Sequence, residues 1–389
     1  MKRGATGRYQ SMARVGEQFQ AFVPVPLPPD PPLALDGTLQ QALERALLAL
    51  GRLDSISTML PAPELFIYSY VRKEAVLSSQ IEGTQSSLSD LLLYELEQAP
   101  GVPRNDLDVV EVSNYVAALD HGIARLRGDF PLSNRLIREI HGVLLANGRG
   151  SEKSPGEFRR SQNWIGGTRP GNARFVPPPH PAVPDCMAAL ERFLHADHDG
   201  LPLLVRAGLA HVQFETIHPF LDGNGRVGRL LITFLLCHGG ALREPLLYLS
   251  LYFKQNRTTY YDLLDRVRHE GDWEAWLGFF LEGVRQVATE AVVAAERLEA
   301  MFQKDRAMIE AAGRRAGSAL RVHEAIKARP VLSVSSAADA TGLSFPAVSS
   351  AMNLLVELEI VRELTGRARN RVFAHDRYLA DLAEGTEPI

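Results

Sequence analysis

His218-Pro-Phe-Leu-Asp222-Gly-Asn224-Gly-Arg226-Val-Gly-Arg229 packs an imidazole, a carboxylate, an amide, two guanidiniums and three glycines into twelve residues. A helix-periodic apolar run precedes it (Leu204, Ala207, Leu209, Val212, Phe214) and another follows it (Leu230, Leu231, Phe234, Leu235). The spacing therefore predicts a polar loop wedged between two buried helices. Gly223 and Gly225 carry no Cβ, so backbone N–H groups can turn toward a ligand at close range. The second helix opens there with its unpaired donors and the positive end of its dipole. In physical terms that is a phosphate site.

With those residues in view, the stretch resembles the Fic-domain signature, His-Pro-Phe-x-Asp/Glu-Gly-Asn-Gly-Arg-x-x-Arg, and every fixed position of the pattern is present. A second patch, Ser78-Ser-Gln-Ile-Glu82-Gly83, is an ordinary helix end on its own, with Ser78 and Glu82 on one face and Gly83 able to stop the helix. Beside the signature it resembles the family's inhibitory motif, Ser/Thr-x-x-x-Glu-Gly/Asn, placed N-terminal to the core. The resemblance implies that Glu82 reaches the second Arg of the signature, here Arg229.

The outer limits agree. At 389 residues, 46% hydrophobic and 23% charged, the chain reads as a globular protein of two or three domains. A net charge of −4 gives no global pull toward nucleic acid or a membrane surface. Cys186 and Cys237 are the two cysteines and read as small buried hydrophobes rather than a disulfide framework. No apolar run is long enough to span a bilayer and no signal-peptide core follows the first residues, so no membrane contact and a cytoplasmic location are expected.

Along the chain, residues 1–36 read as irregular, with the Pro-rich run Pro24–Pro32 laid over the surface as a tether. Helical periodicity starts near Leu39, with Gly51 as an end or interruption. Further helices are expected over Pro63–Gln80 (Leu65, Tyr68, Val71), Leu88–Glu97, Asp106–Arg127, Leu132–Asn147 and Val183–His195. His141 reads as a satisfied histidine rather than a metal ligand. Residues 148–184 turn to Gly, Pro and Asn, and two short runs around Gly166, Gly167 and Gly171 suggest a hairpin at about 158–178. It is similar to the Fic flap, whose edge would pair with an extended segment of a target protein. Pro245–Arg268 contains Tyr260 and Tyr261, where the family often places an aromatic pair against adenine; packing is the equal alternative. Arg268 stands where some relatives have Asn, and that contact is not carried over. A long helix, Trp273–Gln303, follows.

Residues 312–377 read as a separate winged helix-turn-helix: helices Ser318–Arg329, Ser333–Ala340 and Ser344–Leu358 with a Gly turn between the last two, then strands Ile360–Leu364 and Arg371–Ala374. The module resembles one found in many bacterial Fic proteins. Basic residues outnumber acids over 314–377 by ten to six, Arg369 among them, yet Ser344–Met352 has no Lys or Arg to read guanine edges. DNA contact, homodimerisation and protein contact all stay open for it.

The expected architecture is mainly α: an N-terminal extension and helix (1–60), a Fic core (61–300) holding the inhibitory helix (about 63–84: Ser78, Glu82, Gly83) and the flap, and the C-terminal module. The resemblance implies AMP transfer from ATP to a Ser, Thr or Tyr hydroxyl of a target protein or of the chain itself. His218 would be the catalytic base, Asp222 the Mg²⁺ ligand, and Gly223, Asn224, Gly225, Arg226, Arg229, Tyr260 and Tyr261 the remaining ATP contacts. The alternatives are a DNA-binding regulator with a Fic sensor core, or a Fic enzyme that uses another nucleotide or removes AMP.

Overall fold

Alternating and 3.6-residue patterns decide most of this chain, and the computed structural model describes residues 2–14, 16–59, 63–96, 107–196, 200–367 and 370–387, with the side chains of 59 and 63–65 also excluded. In chain order the elements are β1 (Gly7–Arg14), β2 (Glu17–Pro24), α1 (Gly37–Met59), α2 (Pro63–Ile81), α3 (Leu88–Tyr94), α4 (Leu107–Arg127), α5 (Asn134–Leu144), α6 (Val183–His195), α7 (Leu203–Ile217) and α8 (Asn224–His238). There follow α9 (Ser250–Gln255), α10 (Arg257–Glu270), α11 (Trp273–Glu310), α12 (Ala316–Ala328), β3 (Val331–Ser333), α13 (Val334–Thr341), α14 (Phe345–Glu357), β4 (Arg362–Glu363), β5 (Val372–Ala374) and α15 (Asp376–Ala383). The fold is mainly α, as expected. Glu97, Asp106, Arg369 and the Leu65 side chain lie outside the described residues.

The chain divides into two compact units, 1–51 with 114–288 and 52–113 with 289–389. Helix α2 belongs to the second unit, with the C-terminal elements.

In the first unit, residues 7–24 are not irregular. β1 and β2 pair antiparallel from Gly7 opposite Pro24 to Arg14 opposite Glu17. Alternation explains the ladder: Phe19 and Ala21 are buried while Gln18 and Gln20 are exposed. The Pro-rich run is pinned as well, since Arg3 donates to the carbonyls of Pro31 (2.6 Å) and Pro32 (2.9 Å). Helix α1 runs through Gly51 without a break because Leu53 and Ile56 continue its buried stripe and nothing crowds the glycine. Within Pro245–Arg268, the helix expected from near Thr258 is α10, and the short α9 precedes it, parted from it at Asn256. The unit's centre is the pair α7 and α8. Helix α7 is buried from Leu204 to Ile217 apart from Arg206, and α8 is buried over most of its length.

In the second unit, α2 packs with α12 and α15, where Ser69 Oγ and Tyr378 Oη meet at 2.7 Å in the core. Helices α12, α13 and α14 surround a core of Val322, Ile326, Ala337, Val348, Met352 and Leu355. Ser333 caps α13 through a capping box and Gly342 (φ 66) ends it. The sheet has the order β3-β5-β4, so the strand Val331–Ser333, too short for periodicity to reveal, adds an edge to the expected pair. Asp305 is buried among His375 (2.7 Å), Arg377 (2.5 Å) and His323 (3.9 Å). The Tyr378 N–H donates to His375 Nδ1, which puts that ring's proton on Nε2, facing the carboxylate. The cluster is thereby a hydrogen-bonded ion pair rather than a ring of lone pairs around one cation.

Candidate active site

Helix α7 ends at His218, which adopts the left-handed conformation (φ 49, ψ 60) and donates its N–H to Phe214 O (2.9 Å). A non-glycine residue there costs roughly 1–2 kcal/mol, so the surroundings must hold it. They do so through carbonyls. Arg159 Nε donates to His218 O (2.9 Å) and the Arg159 N–H to Pro219 O (2.9 Å). Asn163 Nδ2 donates to Phe220 O (3.2 Å) and Leu221 O (3.3 Å). His141 Nε2 lies 3.0 Å from Asp222 O while its Nδ1 accepts from Gly156 N–H at 2.8 Å, so Nε2 carries the proton and donates. Every carbonyl from His218 to Asp222 therefore receives a donor from residues 141–163.

Inside the loop, Asn224 works as a staple: its Oδ1 accepts from Phe220 N–H (2.8 Å) and its Nδ2 donates to Phe220 O (2.9 Å). Both ends of that carboxamide bond the loop, and one N–H of the Nδ2 group is left over from these two bonds. Gly223 is left-handed (φ 74) at the start of α8, and its N–H donates to Asp222 Oδ1 (2.6 Å). The first backbone bond of α8 runs from Val227 N–H to Gly223 O (3.0 Å), so the helical ladder starts there and the amides of 224–226 precede it. They form the anion-attracting end of the helix.

The charged groups sort by burial. Asp222 is 38% exposed at its side chain, with Arg226 3.6 Å from its Oδ1. Arg226 and Arg229 are themselves buried. A Cβ on Gly150 would come within 2.9 Å of Asp222 Oδ2, so the bare glycine keeps space open at that oxygen. A half-exposed carboxylate with room at one oxygen suits a hard divalent cation.

Three residues that sequence reasoning did not place at the site support it. His141 is buried, stacks on Phe220 with centroids 3.7 Å apart, and is held neutral because burial pushes its pKa down to about 4. Arg159 is only 2% exposed. Asn163 opens the flap, which is one bridge, Ile165 with Phe175, rather than a ladder. The Asn172 side chain closes its turn by accepting from the N–H groups of Thr168 and Arg169 (3.0 Å each). Glu17 of β2 also accepts from Gly171 N–H (2.7 Å) and Arg169 (2.9 Å). Tyr260 is buried with its hydroxyl 2.8 Å from His211 Nε2 and its ring stacked on Phe253 at 4.6 Å, a core position. Tyr261 is half-buried beside it. In the other unit, Ser78 is buried in α2, and Glu82 and Gly83 (φ 103) form the exposed turn after it.

Comparison with known proteins matches this geometry to one family. A protein adenylyltransferase Fic from Culex quinquefasciatus is 34% identical over 206 residues, 52% of this chain and 38% of that protein. Its Drosophila melanogaster counterpart is 35% identical over 147 residues, 38% of this chain and 27% of that protein. The chain thus spans well under half the length of these curated relatives. Among solved structures, a Fic family protein from Desulfovibrio desulfuricans superposes with a TM-score of 0.57 at 21% identity, covering 88% of this chain and 97% of the other, a likeness of fold. Residues 40–124 match the Fic/DOC family N-terminal domain and residues 131–236 the Fic/DOC family domain. Those two stretches are therefore similar, in the same order, to the two domains of the Fic/DOC family.

Proposed function

We propose that the chain is a protein adenylyltransferase that moves AMP from ATP to a protein hydroxyl, its own included. The observation that carries the reading is the join of α7 to α8. A histidine held in a left-handed turn stands at the start of a short loop that leads into the N-terminus of α8, and the first turns of that helix carry the buried Arg226 and Arg229. His218 takes the proton from the attacking Ser, Thr or Tyr hydroxyl, since neutral imidazole is poised near physiological pH. The amides of 224–226 and Arg226 neutralise the α- and β-phosphates, and Arg229 seats the γ-phosphate, lining up the α-phosphorus for in-line attack in which the bond to the β-phosphate breaks and pyrophosphate leaves. Asp222 would hold Mg²⁺, which supplies charge neutralisation at the phosphate oxygens. Tyr261 stands nearer the surface than Tyr260 and is the better placed of the pair for a base.

Glu82, in the turn after α2, is the inhibitory residue in this reading. The C-terminal elements are a winged helix whose α14 has no Lys or Arg and exposes Phe345, which favours a protein contact over base reading. The decisive experiment offers the purified protein ATP labelled in turn at the α and γ positions. Label retained on protein from α and never from γ supports AMP transfer, and the reverse pattern overturns it. Among the described residues no helix is long and apolar enough to cross a membrane.

A further inference from the structure

Arg159 is an unusual charge: nearly all its surface is buried, and each bond of its side chain described here goes to a backbone carbonyl. Nε donates to His218 O (2.9 Å) and Nη1 to Ser161 O (3.3 Å), while Nη2 donates to Pro178 O (2.5 Å) and, at 3.4 Å, to Ile217 O. Burial pushes its pKa down to about 10, the signature of a cation removed from water. A surface arginine would lose nothing by pointing outward, so this placement has a geometric return. Ser161 and Pro178 lie on either side of the Ile165–Phe175 bridge of the flap, and His218 is the residue whose backbone is strained. One planar fork, with donors fixed relative to each other, joins all three.

We propose that Arg159 is the positioning residue that couples the flap to His218, so that seating an acceptor on the flap and setting the imidazole for proton removal are one mechanical event. This rests on the transfer reading above. The flap's own bonds are few, and an acceptor strand that shifts its ends would shift the fork. Because the fork also holds His218 O, the ring follows. Lysine cannot substitute, since one ammonium on a flexible stem cannot hold carbonyls on both sides at fixed spacing.

The test uses the full chain with Arg159→Met, Arg159→Lys and, as control, Gln162→Ala. Gln162 Nε2 ties Asn163 O to Pro177 O (2.9 and 3.0 Å), within the flap alone. Automodification with α-labelled ATP, ATP affinity, and amide hydrogen exchange are measured together. Expected for both Arg159 variants are unchanged ATP affinity, a transfer rate lower by on the order of 10²-fold, and faster exchange in 160–178 and 215–224 together. Gln162→Ala should speed exchange in the first segment only. Faster exchange throughout the chain, or in only one of the two segments, overturns the coupling, as does wild-type behaviour in Arg159→Lys. If the wild-type protein transfers no AMP, the functional reading falls, and the exchange pattern still decides whether Arg159 links flap and loop.

Discussion

Two helices in this molecule end in a left-handed turn beside a group of interest, and they are built in opposite ways. After α7, His218 takes a positive φ that its side chain disfavours, and the five carbonyls from His218 to Asp222 are held by donors from residues 141–163, far away in sequence. After α2, the positive φ falls on Gly83, where it costs nothing, and the turn closes on itself: Glu82 N–H to Ser79 O (3.0 Å), Gly83 N–H to Gln80 O (3.0 Å), Thr84 N–H to Ser79 O (3.2 Å). The first arrangement ties a backbone down from outside the loop, as in-line chemistry would require. The second presents an exposed carboxylate on a local turn, which suits a residue that engages and releases.

If that contrast is right, His218→Ala gives the largest effect. Transfer should fall by about 10²- to 10⁴-fold with ATP binding nearly intact. A variant that still transfers at the wild-type rate removes His218 from the mechanism and leaves its rigid setting without a purpose.

Next comes Asp222→Ala, expected to lose several kcal/mol of transition-state stabilisation, on the order of 10²-fold or more in rate, together with much of the Mg²⁺ dependence. Superimposable Mg²⁺ titrations for variant and wild type would show that this carboxylate holds no metal.

The locally closed turn makes the opposite forecast. Glu82→Gly should raise automodification, by up to about 10²-fold if Glu82 otherwise withdraws Arg229 from the γ-phosphate and misaligns the α-phosphorus. Arg229→Ala, alone or combined with Glu82→Gly, should be inactive because the relief acts through Arg229. A rate that is unchanged or lower in Glu82→Gly, measured beside wild type, breaks the comparison at its regulatory end.

The smallest effect sharpens the other end. His141 has a folded pKa near 4, below its ordinary 6.5, because burial disfavours the charged ring. The unfolded chain therefore binds the proton more readily, and stability is full above pH 6.5 and declines as pH falls toward 4. The loss reaches a few kcal/mol at most, at about 1.4 kcal/mol per pKa unit. His211, likewise lowered to about 4 by burial, adds a share of its own. Melting curves between pH 7 and 4.5 should be steeper in pH for wild type than for His141→Gln, which keeps a donor for Asp222 O and does not titrate. Parallel curves would mean that the pin at Asp222 O is not the acid-sensitive one.

Much of this was legible in the sequence, for physical reasons that also mark where reading stopped. Helices such as Val183–His195 announce themselves because a buried stripe must repeat at 3.6 residues. The signature announces itself because so many chemically specific positions are crowded together. The hairpin β1–β2 was missed because a polar outer face and a following proline run look irregular until the partner strand is seen. α15 escaped for want of length. Arg159, His141 and Asn163 were missed for a deeper reason: what they bond is backbone, which has no letter in a sequence. An arginine in a Gly- and Pro-rich stretch reads as solvated, and only folding reveals that five carbonyls need donors.

Gly228, the third glycine of the signature, sits in the middle of α8, where a helix gains nothing from glycine. A Cβ there would lie 2.4 Å from Glu215 Oε1 and 3.2 Å from Phe214 Cδ1 on α7. Its absence leaves room for the buried Glu215 carboxylate between the two helices. In the proposed mechanism one of them ends at the base and the other begins with the phosphate-binding amides, so a single methyl group at this position would act as a shim on the packing between them while changing no reacting residue.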